Sequence, residues 1–90
     1  MNFISKINCV LEERGRTHGD FNHHAEATQF LKDVCDAYCV NELSVVQKES
    51  LDMITRKIGR ILSGDPNWKD HWVDIAGYSQ LVVNDLEDSE

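Results

Sequence analysis

Apolar residues recur along this chain at three- and four-residue intervals, and four stretches keep the rhythm long enough to read as helices. The first covers about residues 3–14, with Phe3, Ile4, Ile7, Val10 and Leu11 on one side and Gly15 as its C-terminal stop. A polar segment without periodicity follows, from Arg16 through His18 and Gly19 to Phe21. Asp20 or Asn22 can cap a second helix there by accepting from its first unpaired amides. That helix is expected to reach about residue 40 and to bury Ala27, Phe30, Leu31, Val34 and Tyr38. Ser44 followed by Gln47 is a capping-box pair, and it opens a third helix that runs to Leu62. Leu51, Ile54, Ile58, Ile61 and Leu62 line one face of it. A turn over residues 63–67 comes next, with Asp65 as its expected cap, and then a fourth helix over about residues 69–86. Trp72, Ile75, Ala76, Val82 and Leu86 share one side of that helix, and residues 87–90 form an acidic tail expected to fray. No stretch alternates with period two, so no strand is expected. The fold class is all-α: a small up-and-down bundle of about four helices in a single domain over residues 1–90.

Composition sharpens the picture. Ninety residues allow one small domain, and a chain of this size buries only about 60–65% of its extended surface, so self-association is expected to help. Nine Lys+Arg against sixteen Asp+Glu give a net charge of −7. That balance argues against binding duplex nucleic acid, although Arg56, Lys57 and Arg60 form a local basic group. No window holds the roughly 20 apolar residues of a membrane helix, and acids arrive too early for a secretory signal. Cys9, Cys35 and Cys39 show neither a CxxC nor a zinc spacing; half-buried reduced thiols of a cytoplasmic protein are expected. His23 and His24 are adjacent, face apart, and read as surface; Trp68 and Trp72 read as hinge and core packing.

The candidate chemistry lies in the acids. Glu49 and Asp52 are three apart on the third helix, and Asp70 and Asp74 are four apart on the fourth, so each pair projects from one side. Both pairs lie away from the main apolar stripe of their helix, which is also how an ordinary solvated face looks. What distinguishes them is company: Val45, Val46 and Met53 share the acidic side of the third helix, Tyr78 and Leu81 that of the fourth. Mixed faces of this kind suit burial against another helix or another subunit. Four such carboxylates are the donor type a hard cation such as magnesium prefers.

Three blocks carry a resemblance. They are Leu-Glu-Glu-Arg-Gly-Arg-Thr-His-Gly-Asp-Phe (residues 11–21), Glu-Ser-Leu-Asp-Met-Ile-Thr-Arg-Lys-Ile-Gly-Arg-Ile-Leu-Ser-Gly-Asp-Pro (residues 49–66) and Asp-His-Trp-Val-Asp-Ile-Ala-Gly-Tyr (residues 70–78). Together they resemble a family of small proteins of tailed bacteriophages and prophages, over nearly the whole chain. More distantly, the acid arrangement resembles the MazG-like all-α nucleoside triphosphate pyrophosphatases. That superfamily binds magnesium through a Glu-x-x-Glu pair on one helix and a Glu-x-x-Asp pair on the next. Glu49 and Asp52 match the first pair, with Asp in place of the second Glu, and Asp74 matches the final Asp. The third position of the pattern is His71 here, and the nearest acid is Asp70, one residue earlier.

The resemblance implies a phage-encoded, magnesium-dependent nucleoside triphosphate pyrophosphohydrolase, or an inactive nucleotide-binding relative, acting in the host cytoplasm. The small size and the apolar residues on both sides of two helices lead one to expect a dimer or higher homo-oligomer. Glu49, Asp52, Asp70 and Asp74 would hold magnesium, with Glu49 or Asp52 taking the proton of the attacking water. Lys57 and Arg60 would meet the phosphates. His18, Asp20 and Phe21 would close on the base or sugar, or else serve only as loop, cap and core plug. The alternative from another class is a non-enzymatic phage protein that binds a host protein through its acidic surface.

Overall fold

The computed structural model describes residues 2–89, and all regular structure in them is helical. Four helices follow one another: α1 (Phe3–His18), α2 (Phe21–Tyr38), α3 (Val45–Ser63) and α4 (Lys69–Asp88). Caps set most boundaries as the sequence leads one to expect. Asp20 accepts from the His23 amide to start α2, and Ser44 and Gln47 form the reciprocal capping box of α3. In the α3–α4 turn Asp65 accepts from the Asn67 amide at 2.9 Å, while the Trp72 indole N–H donates to the Pro66 carbonyl at 2.8 Å.

Two boundaries differ from expectation. Gly15 does not end α1, because it keeps a helical backbone; the helix continues to His18 and stops at Gly19, where φ turns positive. The acidic tail does not fray at residue 87 either, since α4 continues to Asp88 with Ser89 as its cap; residue 90 lies outside the described residues.

α3 is the middle of the fold. It packs along α2 on one flank and α4 on the other, and α2 and α4 make no close backbone approach to each other. Both neighbours run antiparallel to it, as the Lys32–Asp52 and Lys57–Asp74 pairs show. The crossings are made of small and polar groups. Gly59 of α3 sits so close to His24 and Thr28 of α2 that a β-carbon there would overlap the Thr28 hydroxyl. The buried side chains are His24, Thr28, Ser50, Thr55 and His71, and no apolar side chain among the described residues is buried.

The expected buried stripes are therefore corrected. Phe30 and Tyr38 of α2 are 70% and 80% exposed, and Val34, Leu51, Leu62, Trp72 and Leu86 are exposed too. Periodicity groups residues on one face but does not say what faces them. Ala27, Leu31, Ile54, Ile58, Ile61 and Ile75 of the same stripes are half-buried, and the exposed ones meet no opposing surface among the described residues. All three cysteines are exposed rather than half-buried, Trp68 and Trp72 belong to the hinge and not to a core, and His24 is interior rather than surface.

α1 stands off from the rest and meets α2 and α3 only near its C-terminal end. A helix of 20 residues is about 30 Å long, whereas the molecule's longest dimension is 53 Å. No helix among the described residues is long and apolar enough to cross a membrane.

The two interhelical turns are locked together by backbone. A β-carbon on Gly19 would overlap the Ser63 carbonyl, and one on Gly64 would overlap the Thr17 carbonyl. Gly19 also has φ 78° and ψ −167°, a region open essentially to glycine alone. Gly19→Ala should therefore lower stability by on the order of 3 kcal/mol, through backbone strain and the clash. Thermal or denaturant unfolding of the full chain measures it, and an unchanged midpoint would show that the turns are not locked.

Candidate functional site

The locked turns build a cleft. The Thr17 carbonyl accepts from the Asp65 amide at 3.2 Å and from His71 Nε2 at 3.2 Å, so His71 carries its hydrogen on Nε2. His71 is 1% exposed, and its ring meets that of His18 edge-on with centroids 4.7 Å apart. The Thr17 hydroxyl bonds His18 Nδ1, and His23 Nδ1 bonds the Ser63 hydroxyl at 2.6 Å. These contacts hold the α1–α2 turn against the end of α3.

Beside that junction lies a cavity of about 550 Å³, lined among others by Arg14, His18, Asp20, Phe21, His24 and Arg60. Four of the five residues expected to contact substrate are thus brought together: His18, Asp20, Phe21 and Arg60. The fifth, Lys57, is directed elsewhere, into a 2.8 Å ion pair with Asp74. Phe21 neither plugs a core nor is buried; its ring is 72% exposed at the rim and tilted over His24 at 6.1 Å. Arg14 and Gly19 were not singled out by the sequence as site residues, and His24 was read as surface. The one available signal for His24 was Gly59, since a glycine inside a helix usually has a packing reason.

Electrostatically the cleft is cationic, against the sign of the whole chain. Burial first, then the charges of Arg60, His71, Lys57 and Arg14, push the His18 pKa down to about 4. Burial and then Arg60 likewise lower that of His24, opposed by a hydrogen bond to the Gly59 backbone. Burial and the nearby Arg14 and Arg56 charges weaken even Arg60's hold on its proton, although a guanidinium stays charged at neutral pH. Two arginines beside two neutral imidazoles make a site suited to an anion.

The four acids do not gather in one chain. Lys57 donates to Asp74 and holds its carboxyl below the ordinary aspartate value. Asp52 lies 4.0 Å from Lys32 on the other flank of α3, while Glu49 and Asp70 are exposed. The Lys57–Asp74 pair fixes the register of α3 against α4. At about 1.5 Å per residue, Asp52 and Glu49 then sit roughly 8 and 12 Å further along the axis from the level of Asp74. No group of three or more His, Cys, Asp or Glu among the described residues is placed to hold a metal. Within one chain these carboxylates do not fit an octahedral cation.

Comparison with known proteins adds no further constraint. No family model, no curated protein and no solved structure matches the chain.

The histidine shifts make stability depend on pH with a definite sign. Both folded-state pKa values lie below the unfolded value near 6.5, so the unfolded chain binds more protons in the window below it. Stability is fully present above pH 6.5 and is lost as pH falls from 6.5 toward 4. The melting temperature should decline across that window, and His18→Gln should flatten the decline. A melting temperature constant from pH 7 to 4.5 in the wild type would contradict the buried, neutral histidines.

Proposed function

We propose that the chain is a phage-encoded, MazG-like helical protein that binds the phosphates of a nucleoside triphosphate in the host cytoplasm, as a binding relative rather than a hydrolase with a cation site in each chain. One observation carries the reading. The fold joins His18, Asp20, Phe21 and Arg60, read from sequence as substrate contacts, into one cleft and adds Arg14.

Each group has work of a defined kind there. The Arg14 and Arg60 guanidiniums pair with phosphate oxygens through charge-assisted hydrogen bonds. His18 and His24 stay neutral at physiological pH, so they hydrogen-bond a ligand without adding repulsion to the arginines. The Phe21 ring offers a face on which a base can stack. Asp20 is committed to the α2 cap and keeps the rim in place. Magnesium is expected to arrive on the phosphates of the nucleotide, its usual carriers.

The second reading, a protein that binds a host protein, draws on the exposed apolar side chains of every helix rather than on the acids.

Calorimetric titration with a panel of nucleoside triphosphates tests the proposal. Arg60→Ala and Arg14→Ala should each weaken binding about tenfold or more, the value of one charge-assisted bond of ~1.5 kcal/mol or above. Glu49→Gln, remote from the cleft, should leave it unchanged. Lack of binding sinks the reading. Pyrophosphate release with magnesium that disappears in Glu49→Gln would replace it with the hydrolytic one.

A further inference from the structure

The surface of the chain is too large for its mass. A compact monomer of 10.3 kDa exposes about 5,400 Å² by size scaling, and this chain exposes 6941 Å². The radius of gyration, 15.8 Å, exceeds the roughly 12 Å of a compact domain of this length. The excess, about 1,600 Å² per chain, is the area each subunit commits to a large obligate interface.

Two apolar faces contribute to it. One is α1, whose Phe3, Ile7, Val10 and Leu11 make a continuous strip edged by the cations Lys6 and Arg14. This 16-residue helix buries no side chain, and a helix of that length is marginal in water unless its face is packed. The other is a trough where α2 and α4 diverge over α3. It comprises a cavity of about 560 Å³ against α2 and one of about 320 Å³ against α4, which share Leu43 and Leu51. Val34 and Tyr38 form its α2 wall and Val82 its α4 wall. Asp36, Glu42 and Asp52 line it with Lys48 as the single cation.

We propose that the occupant of the trough is α1 of a second copy of this chain, and that the exchange is reciprocal. Three features single out a second copy. The trough lacks one helix to complete a four-helix packing, and α1 is the helix that its own chain packs least, only near its C-terminal end. Strip and trough are oppositely charged: Lys6 and Arg14 on one side meet Asp36 and Glu42 against Lys48 on the other, Asp52 being paired with Lys32. A two-fold exchange also covers both faces of both chains at once, which closes the assembly at two. This does not rest on nucleotide binding.

The test uses masses of the full chain in solution by light scattering or sedimentation. Wild type should be a dimer of about 20.6 kDa, twice 10.3 kDa. Ile7→Glu on the strip and Leu51→Glu in the trough, both exposed in the single chain, should each give about 10.3 kDa alone. An equimolar mixture of the two should regain the dimer, because one strip and one trough in it are wild type. If either variant loses its helical circular dichroism alone, ellipticity and mass should return together on mixing. A folded wild-type monomer at tens of micromolar overturns the proposal and leaves the faces to a foreign helix. A mixture that stays monomeric overturns the strip-to-trough pairing, and masses that climb beyond two chains overturn the reciprocal closure.

Discussion

The Thr17 carbonyl is the point on which this fold turns. It accepts from a backbone amide of the α3–α4 turn and from a buried imidazole of α4, and so ties three helices at one atom. The approach is possible because glycine stands on both sides, at 19 and at 64, where any β-carbon would enter the opposing backbone. A buried histidine beside a carbonyl would otherwise be a cost; here its hydrogen is satisfied and its ring packs on His18. From this junction α2 and α4 leave along the flanks of α3, α1 leaves outward, and the cationic cleft opens between them.

Charge is sorted by the same framework. A chain of net −7 would be expected to surround each arginine with acids, yet Lys32 and Lys57 take Asp52 and Asp74, both on ladder positions of α3 or α4. Arg14 and Arg56 both act on Arg60 near the junction, and the depressed pKa of His18 records its burial first and then the charges of Arg60, His71, Lys57 and Arg14. Holding like charges together costs free energy, and the two neighbouring imidazoles with lowered pKa values avoid adding to that cost.

Much of the fold was legible in the sequence because caps and breakers act locally. Ser44 with Gln47, Asp20, and the turn around Pro66 each determine a boundary through bonds within three residues. Gly15 misled because glycine in a helix is tolerated, and only Gly19, with its positive φ, is a required stop. The cleft residues His18, Asp20, Phe21 and Arg60 were legible as types, whereas Arg14 and His24 join them through the crossing of α1 and α3, which no local pattern encodes. The paired acids looked like one site because spacing shows which side chains share a helix face; register between helices, set by Lys57 and Asp74, decides whether two faces meet.

The apolar stripes were read correctly as stripes and wrongly as a core, and the reason lies in how the helices touch. Small and polar groups at the crossings, Gly59 and Thr28 above all, let α2 approach α3 closely while burying little hydrocarbon. Hydrophobic burial is the main favourable term in folding, so a chain that leaves its Phe and most of its Leu and Val exposed would gain most from a surface that covers them. Folding and covering then become one equilibrium, and stability acquires a dependence on the concentration of the covering surface. The cleft shares in this, because Leu11, Arg14 and His18 of its wall belong to α1. A cleft with one wall on a helix that its own chain holds only near one end has its full geometry only while that helix is held.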